Sequence, residues 1–253
     1  MGAPVLQISE EMNSEFQALN FEGLETLVEV KTEAQIKREK WDQSKLTYFS
    51  GSEMERLCGY ETKKELPDGA YSYISEKVYE TVFGEKYKDD IFESEDVLRG
   101  RKYELPAVRK VEKETNISFS YTGENQKFFK RGGFGATPDG LSKMYSLEIK
   151  CPNFANHNKY KRMKKGEDLK KFEKKYWYQV QSEMFCTKRD KAIFASFYVN
   201  EKNGYTDLFW IVVNKCDKTQ ELIQERVNMA NLEKRRQVKT YKKPIIIDLN
   251  ESR

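Results

Sequence analysis

Apolar residues recur at helical spacing through the first third of the chain and alternate with polar ones in its middle, so the pattern changes period along the sequence. AQIKREKWD (34–42), SEMERLCG (52–59) and YSYISEKVYETVFG (71–84) read as helices, with Ser52 placed to cap the second. The spacing predicts another helix over 95–115, EDVLRGRKYELPAVRKVEKET, which Pro106 should kink or break near its middle. Extended segments follow. ISFSY (117–121) alternates, FFKRGGFGATPDGL (128–141) has the glycines of a tight turn, and YSLEIKC (145–151) alternates again. LKKFEKKYWYQVQSEMFCT (169–187) reads as one long helix, AIFASFYV (192–199) and TDLFWIVV (206–213) as buried strands, and QELIQERVNMANLEKRRQV (220–238) as a C-terminal helix. The fold class is therefore α/β: a mixed central β-sheet flanked by helices, with a helical N-terminal region.

Composition narrows the setting. Of 253 residues, 38% are hydrophobic and 34% charged, enough to bury a sizeable core beneath a heavily solvated exterior. No apolar run approaches a bilayer span, and MGAPVLQISEEM lacks the basic start and apolar middle of a secretory signal. The expectation is a cytoplasmic protein with no membrane partner. MGAPVL also lacks the Ser or Thr of a myristoylation signal. Cys58, Cys151, Cys186 and Cys216 form no CxxC pair, which argues against zinc, an iron-sulfur cluster or a disulfide framework and favours buried small hydrophobes. The single histidine, His157, reads as a surface or capping residue rather than part of a triad. Net charge is only +4, but between Asn158 and Lys175 basic residues outnumber acidic ones nine to three. Such a run, which includes Lys161 and Arg162, is a solvated helix face or a path for a polyanion.

The chemistry concentrates in TPDGLSKMYSLEIKCP (137–152). In a strand, Glu148 and Lys150 share one face while Leu147, Ile149 and Cys151 share the other, which belongs to the core. Asp139 comes alongside Glu148 if the two arms pair through LSKMYS. Two carboxylates so close repel by several kcal/mol, roughly, unless a cation lies between them. All-oxygen ligands suit a hard ion, Mg²⁺ or Mn²⁺. Beside such an ion, Lys150 can polarise an attacking water and offset charge on a phosphorane-like transition state. A bare E-x-K on an exposed strand carries no such meaning; the preceding Pro138-Asp139 and the apolar flanks make it specific.

Asp139 with Glu148-Ile149-Lys150 resembles the pattern of the PD-(D/E)XK nuclease superfamily. TPDGL, LEIKCP, GRKYE (100–104) and YWYQVQSEM (176–184) resemble, in the same order, motifs of the phage lambda exonuclease family, the YqaJ-like viral recombinase nucleases, and FSGSE (49–53) extends the likeness more weakly. The resemblance implies a restriction-endonuclease-like core. It implies metal ligation by Glu104, Asp139, Glu148 and the Ile149 carbonyl, and catalysis by Asp139, Glu148, Lys150 and Gln179. Glu104 alone would read as a surface glutamate of a charged helix, and Gln179 as a buried, satisfied amide. It further implies a 5′-phosphate site at Ser52, or Ser50 in its place, with Lys45 where relatives carry arginine; a lysine keeps the charge but loses the bidentate fork. Lys161, Arg162 and Arg131 are expected along the DNA path.

What the resemblance implies as a whole is a Mg²⁺-dependent exodeoxyribonuclease, with Mn²⁺ as substitute and one or two ions. It would resect linear double-stranded DNA ends 5′→3′ as a toroidal homotrimer, with a single-strand annealing protein as partner. On that reading residues 1–253 are one nuclease domain: 1–95 mostly helical, 96–215 the catalytic core, and 216–253 a C-terminal helix and tail. The alternatives are a structure-specific or nicking endonuclease of the same superfamily and a non-catalytic DNA-binding module.

Overall fold

The computed structural model describes residues 32–87 and 95–241; the chain start, with its signal and myristoylation readings, and the C-terminal tail lie outside the described residues. The chain divides into compact units at Arg38 and Glu39, and the architecture below is that of the unit from Glu39 onward. In chain order come helix α1 (Glu33–Lys45), which runs across that division, strand β1 (Phe49–Ser50), a 3-10 turn (Gly51–Glu53), α2 (Glu55–Cys58) and α3 (Asp68–Phe83). Next are α4 (Glu95–Thr115) and four strands, β2 (Phe129–Arg131), β3 (Phe134–Ala136), β4 (Gly140–Leu141) and β5 (Tyr145–Lys150). Helices α5 (Phe154–Tyr160), α6 (Asp168–Phe172) and α7 (Lys174–Thr187) lead to β6 (Lys191–Asn200), β7 (Tyr205–Asn214) and α8 (Asp217–Thr240).

The central sheet is mixed, in the order β4-β5-β6-β7. β5 runs parallel to β6, with Glu148 opposite Phe194, while β4/β5 and β6/β7 are antiparallel. A parallel neighbour requires a crossover, and α5 to α7 supply it. One sheet face packs Leu147, Ile149, Ile193, Ala195 and Phe197 beneath Ala107, Val108 and Val111 of α4. On the other, Ala192, Phe194 and Val213 meet Trp177, Tyr178, Val180 and Met184 of α7 and Ile223, Val227 and Ala230 of α8. This is the mixed sheet flanked by helices that the pattern predicts. A second, three-stranded sheet, β1-β3-β2, adds to it. Gly132 and Gly133, at φ 63° and 85°, make the β2–β3 turn, a pair of left-handed conformations that glycine adopts without strain.

Several expectations are corrected. α4 runs through Pro106 without interruption; Pro106 is exposed, so the carbonyl it leaves unpaired faces water. The helix expected over 169–187 is broken at Glu173 (φ −153°, ψ 87°), whose carboxylate is held by Lys159 at 2.9 Å. No breaker residue marks that point, so tertiary contacts override local propensity. ISFSY forms only a single bridge, Ser120 to Leu141. The segment 52–59 splits into the 3-10 turn and the four-residue α2, and Ser52 caps neither. β7 pairs with β6 alone and is half-exposed rather than buried. His157 is fully buried, with Nδ1 2.8 Å from the Ser196 hydroxyl and Nε2 3.3 Å from Asp207. Cys58, Cys151 and Cys186 are buried free thiols as expected, while Cys216 is half-buried. No helix among the described residues is long and apolar enough to cross a membrane.

Candidate active site

Antiparallel pairing of β4 and β5 brings the two arms of the Pro-Asp-Gly turn together. The backbone N–H of Asp139 donates to the Leu147 carbonyl at 2.9 Å, and the Ile149 N–H donates to Asp139 Oδ2 at 2.7 Å. Asp139 is thereby fixed beside the strand that carries Glu148 and Lys150. Because the strand period is two, Leu147, Ile149 and Cys151 enter the apolar core while Glu148 and Lys150 leave on the opposite face. There Lys150 pairs with Glu148 Oε1, and its ammonium lies 4.6 Å from the centre of the Tyr176 ring. Gln179, buried on α7, donates to the same Glu148 oxygen at 2.7 Å.

Glu104 arrives from α4, a helix held against the end of β5 by Arg99, whose Nε donates to the Cys151 carbonyl at 2.9 Å. Gln126 ties it to the turn: its amide nitrogen donates to Glu104 Oε1 at 2.8 Å and to Asp139 Oδ1 at 3.1 Å. One amide thus spans two carboxylates that would otherwise repel. The electrostatics reflect the crowding. Burial, then the charges of Glu148 and Glu104, hold the Asp139 carboxyl well above the ordinary carboxylate range. Burial and Glu148 raise Glu104 in the same direction. Burial alone would lower the Lys150 ammonium, yet Glu148 and Asp139 outweigh it and hold Lys150 above its ordinary value.

A cavity of about 200 Å³ opens onto this group. Its walls include Glu104, Gln126, Asp139 and Gln179 together with Trp41, Lys45, Ser50 and Ser52 from the N-terminal side. The hydroxyls of Ser50 and Ser52 are 2.9 Å apart, and the Lys45 ammonium sits 2.8 Å above the centre of the Trp41 ring. Gly51 explains how the 3-10 turn reaches so close: a Cβ there would lie 3.0 Å from the Ser182 Cβ of α7 and 3.1 Å from that of Ala136. The link between Lys45 and Ser50 is pinned at Thr47, which has φ 68°, a costly conformation for a β-branched residue. Glu80 accepts from the Thr47 N–H at 2.9 Å, and the Lys234 ammonium donates to the Thr47 carbonyl at 2.6 Å.

The remaining residues singled out in the sequence lie outside the walls of that cavity. Lys161 is paired with Asp207, and the Arg162 guanidinium is 5.7 Å from the Phe172 ring centre. Arg131 donates to the Phe185 carbonyl at 2.8 Å, at the C-terminal end of α7. Within the basic run, Lys170 and Lys174 reach Glu61 at 2.6 and 3.1 Å. Two residues of the site itself carry no role assigned from sequence, although Glu183 lies within YWYQVQSEM. Gln126 sits in an irregular segment with no motif. Glu183 follows Gln179 by one helical turn, a spacing that places both on one face of α7.

The donors suit a hard divalent cation: three carboxylates, one of which, Glu148, keeps Oε2 buried with no hydrogen-bond partner. They do not form a closed cage. Among the described residues no three acidic, histidine or cysteine side chains already converge as a metal-holding group, and Gln126, Lys150 and Gln179 engage part of the oxygens of these acids.

A family model described as the YqaJ-like viral recombinase domain matches residues 40–190. Among solved structures, the alkaline exonuclease of Laribacter hongkongensis is 22% identical, with TM-score 0.61, over 79% of this chain and 94% of that one. The same exonuclease in complex with dAMP gives a TM-score of 0.62 at 22% identity and the same coverage. A phage-related exonuclease from Haemophilus somnus 129PT, 13% identical, gives 0.62 over 76% of this chain and 95% of that one. No curated protein matches the chain.

Proposed function

Because the chain belongs to the YqaJ-like viral recombinase domain family, we propose that it is a divalent-metal-dependent exodeoxyribonuclease that resects linear double-stranded DNA 5′→3′. The observation that carries this reading is the shared cavity, in which Lys45, Ser50 and Ser52 line the same space as Glu104, Asp139 and Gln179. Two neighbouring hydroxyls and an ammonium recognise a terminal phosphate, and the carboxylates beside them await the next phosphodiester. An enzyme cutting within a duplex has no use for a terminal anchor in the same cavity as its carboxylates. Support also comes from the exonuclease that shares this fold and has been solved with dAMP.

Glu104, Asp139, Glu148 and the Ile149 carbonyl would hold Mg²⁺ or Mn²⁺, as one or two ions. Bound there, the cation supplies Lewis acidity toward a phosphoryl oxygen and offsets the clustered negative charge. Gln179 fixes the Glu148 carboxylate by its 2.7 Å hydrogen bond, and Gln126 keeps Glu104 and Asp139 on one side of the cavity. The Lys150 ammonium, raised in pKa, stays protonated and donates to the attacking water or to charge building on the phosphoryl oxygens. Tyr176 covers it on one side and limits its hydration.

The proposal extends to one nuclease domain with 96–215 as its catalytic core, in a cytoplasmic phage or prophage recombination system that uses strand annealing. It includes a homotrimeric ring and a single-strand annealing protein as partner, both resting on the family resemblance. The test is digestion of linear duplex carrying a 5′-phosphate or a 5′-hydroxyl, beside covalently closed circles, with Mg²⁺. Loss of label from 5′ ends, preference for the phosphate and intact circles are expected. Cleavage of circles would move the assignment to an endonuclease, and binding without hydrolysis to a non-catalytic module. Light scattering on the purified protein distinguishes trimer from monomer.

A further inference from the structure

Glu183 is 1% exposed, and neither of its carboxylate oxygens has a hydrogen-bond partner. It lines the same cavity as Asp139 and Gln179. Glu148 Oε2 is likewise buried and unpartnered, while Oε1 is engaged by both Lys150 and Gln179. Three carboxylate oxygens therefore lack a donor from any neutral or cationic group. Burial, the charge of Glu148 and a carboxyl–carboxylate contact with Glu148, then the charge of Asp139, hold the Glu183 carboxyl well above its ordinary range. Burying a carboxylate costs heavily unless something positive or a donor meets it. The protein meets that demand elsewhere, as the three bonds to Glu80 from Lys77 and Thr47 show. At Glu183 it supplies no ammonium, guanidinium, amide or hydroxyl, only the facing carboxyl of Glu148.

We propose that Glu183 is a ligand of the divalent cation, joining Asp139 and Glu148, so that this chain grips its ion with one carboxylate more than its strand-and-turn motif provides. The inference rests on the metal-dependent reading above. Its physical basis is charge: Glu104, Asp139, Glu148 and Glu183 set four carboxylates against the Lys150 ammonium, an excess that favours a divalent cation over a water. Position agrees. Gln179 and Glu183 are one turn apart on a helix packed against β5, so the residue that orients Glu148 and the added ligand move as one rigid unit. The competing account is a proton shared between Glu183 and Glu148.

The two are separated by titrating full-length protein with Mn²⁺, followed by calorimetry and by the loss of the free-ion spin-resonance signal, for the wild type, Glu183→Gln, Glu183→Asp and Asp139→Asn. A ligand at 183 predicts at least tenfold weaker Mn²⁺ binding in Glu183→Gln, partial recovery in Glu183→Asp, and a higher thermal midpoint for Glu183→Gln in chelator, where the uncompensated charge is gone. Equal Mn²⁺ affinity in wild type and Glu183→Gln overturns the assignment of Glu183 and leaves the nuclease reading standing. If Glu183→Gln fails to fold, Glu183→Asp binding as tightly as wild type overturns it instead. A wild type that takes up no Mn²⁺ overturns the metal-dependent reading and this inference with it.

Discussion

Two buried glutamates, Glu80 and Glu183, are treated in opposite ways. Glu80, 5% exposed on α3, accepts from the Lys77 ammonium at 2.8 and 2.9 Å and from the Thr47 N–H at 2.9 Å. Glu183, 1% exposed on α7, accepts from nothing. The first carboxylate is saturated by the chain itself, and its work is mechanical: it holds Thr47 at a left-handed conformation so that Lys45 and Ser50 stand on either side of a fixed corner. The second meets only other acids, the facing Glu148 carboxyl among them. Glu80 is thereby a structural charge, whereas Glu183 keeps capacity to accept.

Substitutions should divide along the same line. The largest effect is expected from Lys150→Ala, which should lower the rate of duplex digestion by about 10²–10³-fold, the usual cost of losing one transition-state donor. Its thermal midpoint should fall as well, because Glu148 is left buried without its ammonium, and Mg²⁺ or Mn²⁺ should restore it; a loss that the metal does not restore would erase the distinction. Glu80→Ala should act on stability rather than rate. Breaking a buried pair costs about 3–5 kcal/mol, because Lys77 is left uncompensated with Lys234 nearby, and the loss is read as a lower urea midpoint. Turnover of phosphate-free ends by the remaining folded protein should change little. Ser52→Ala, smaller again, should reduce discrimination between 5′-phosphate and 5′-hydroxyl ends by roughly tenfold, the worth of a hydrogen bond to a charged group, with kcat on phosphate-free ends unaltered.

The smallest effect concerns pH. Burial holds the His157 imidazole below its ordinary value, and the neighbouring Asp207 carboxylate, shared with Lys161, does not reverse it. The unfolded chain therefore binds a proton more readily than the folded one. Stability from this residue is complete above about pH 6.5 and is lost as pH falls through the lower folded value. Thermal midpoints measured from pH 7 down to pH 5 should decline more in the wild type than in His157→Asn. Parallel curves would show that the pocket between β6 and β7 accepts the charged ring.

The sequence made some of this visible because the relevant contacts are local. Asp139 and Glu148 meet across a hairpin whose turn residues and alternation are both readable, and YSLEIK places its core and site faces by period alone. Gln179 and Glu183 lie on a helix whose residues from Trp177 to Met184 are all buried, so the amphipathic signal that would have set Glu183 apart is missing. Gln126 and the burial of His157 depend on partners 13 to 50 residues away, such as Glu104, Asp139, Ser196 and Asp207. The interruption at Glu173 carries no glycine or proline to announce it.

The crossover between β5 and β6 also bears on how the centre comes into being during synthesis. Asp139, Glu148, Lys150, Gln179 and Glu183 all fall between Pro138 and the end of α7, within a span that β6 closes as soon as it pairs. Glu104, on the preceding α4, is held to them through Gln126 and through the docking of its helix on β5. The closures are of similar length, 46 residues between Glu148 and its β6 partner Phe194 and 44 between Glu104 and Glu148, so a nascent chain completes its acidic centre only once β6 has emerged. Kinetically, competence to bind metal tightly should trail compaction, because the centre needs several non-local closures made together.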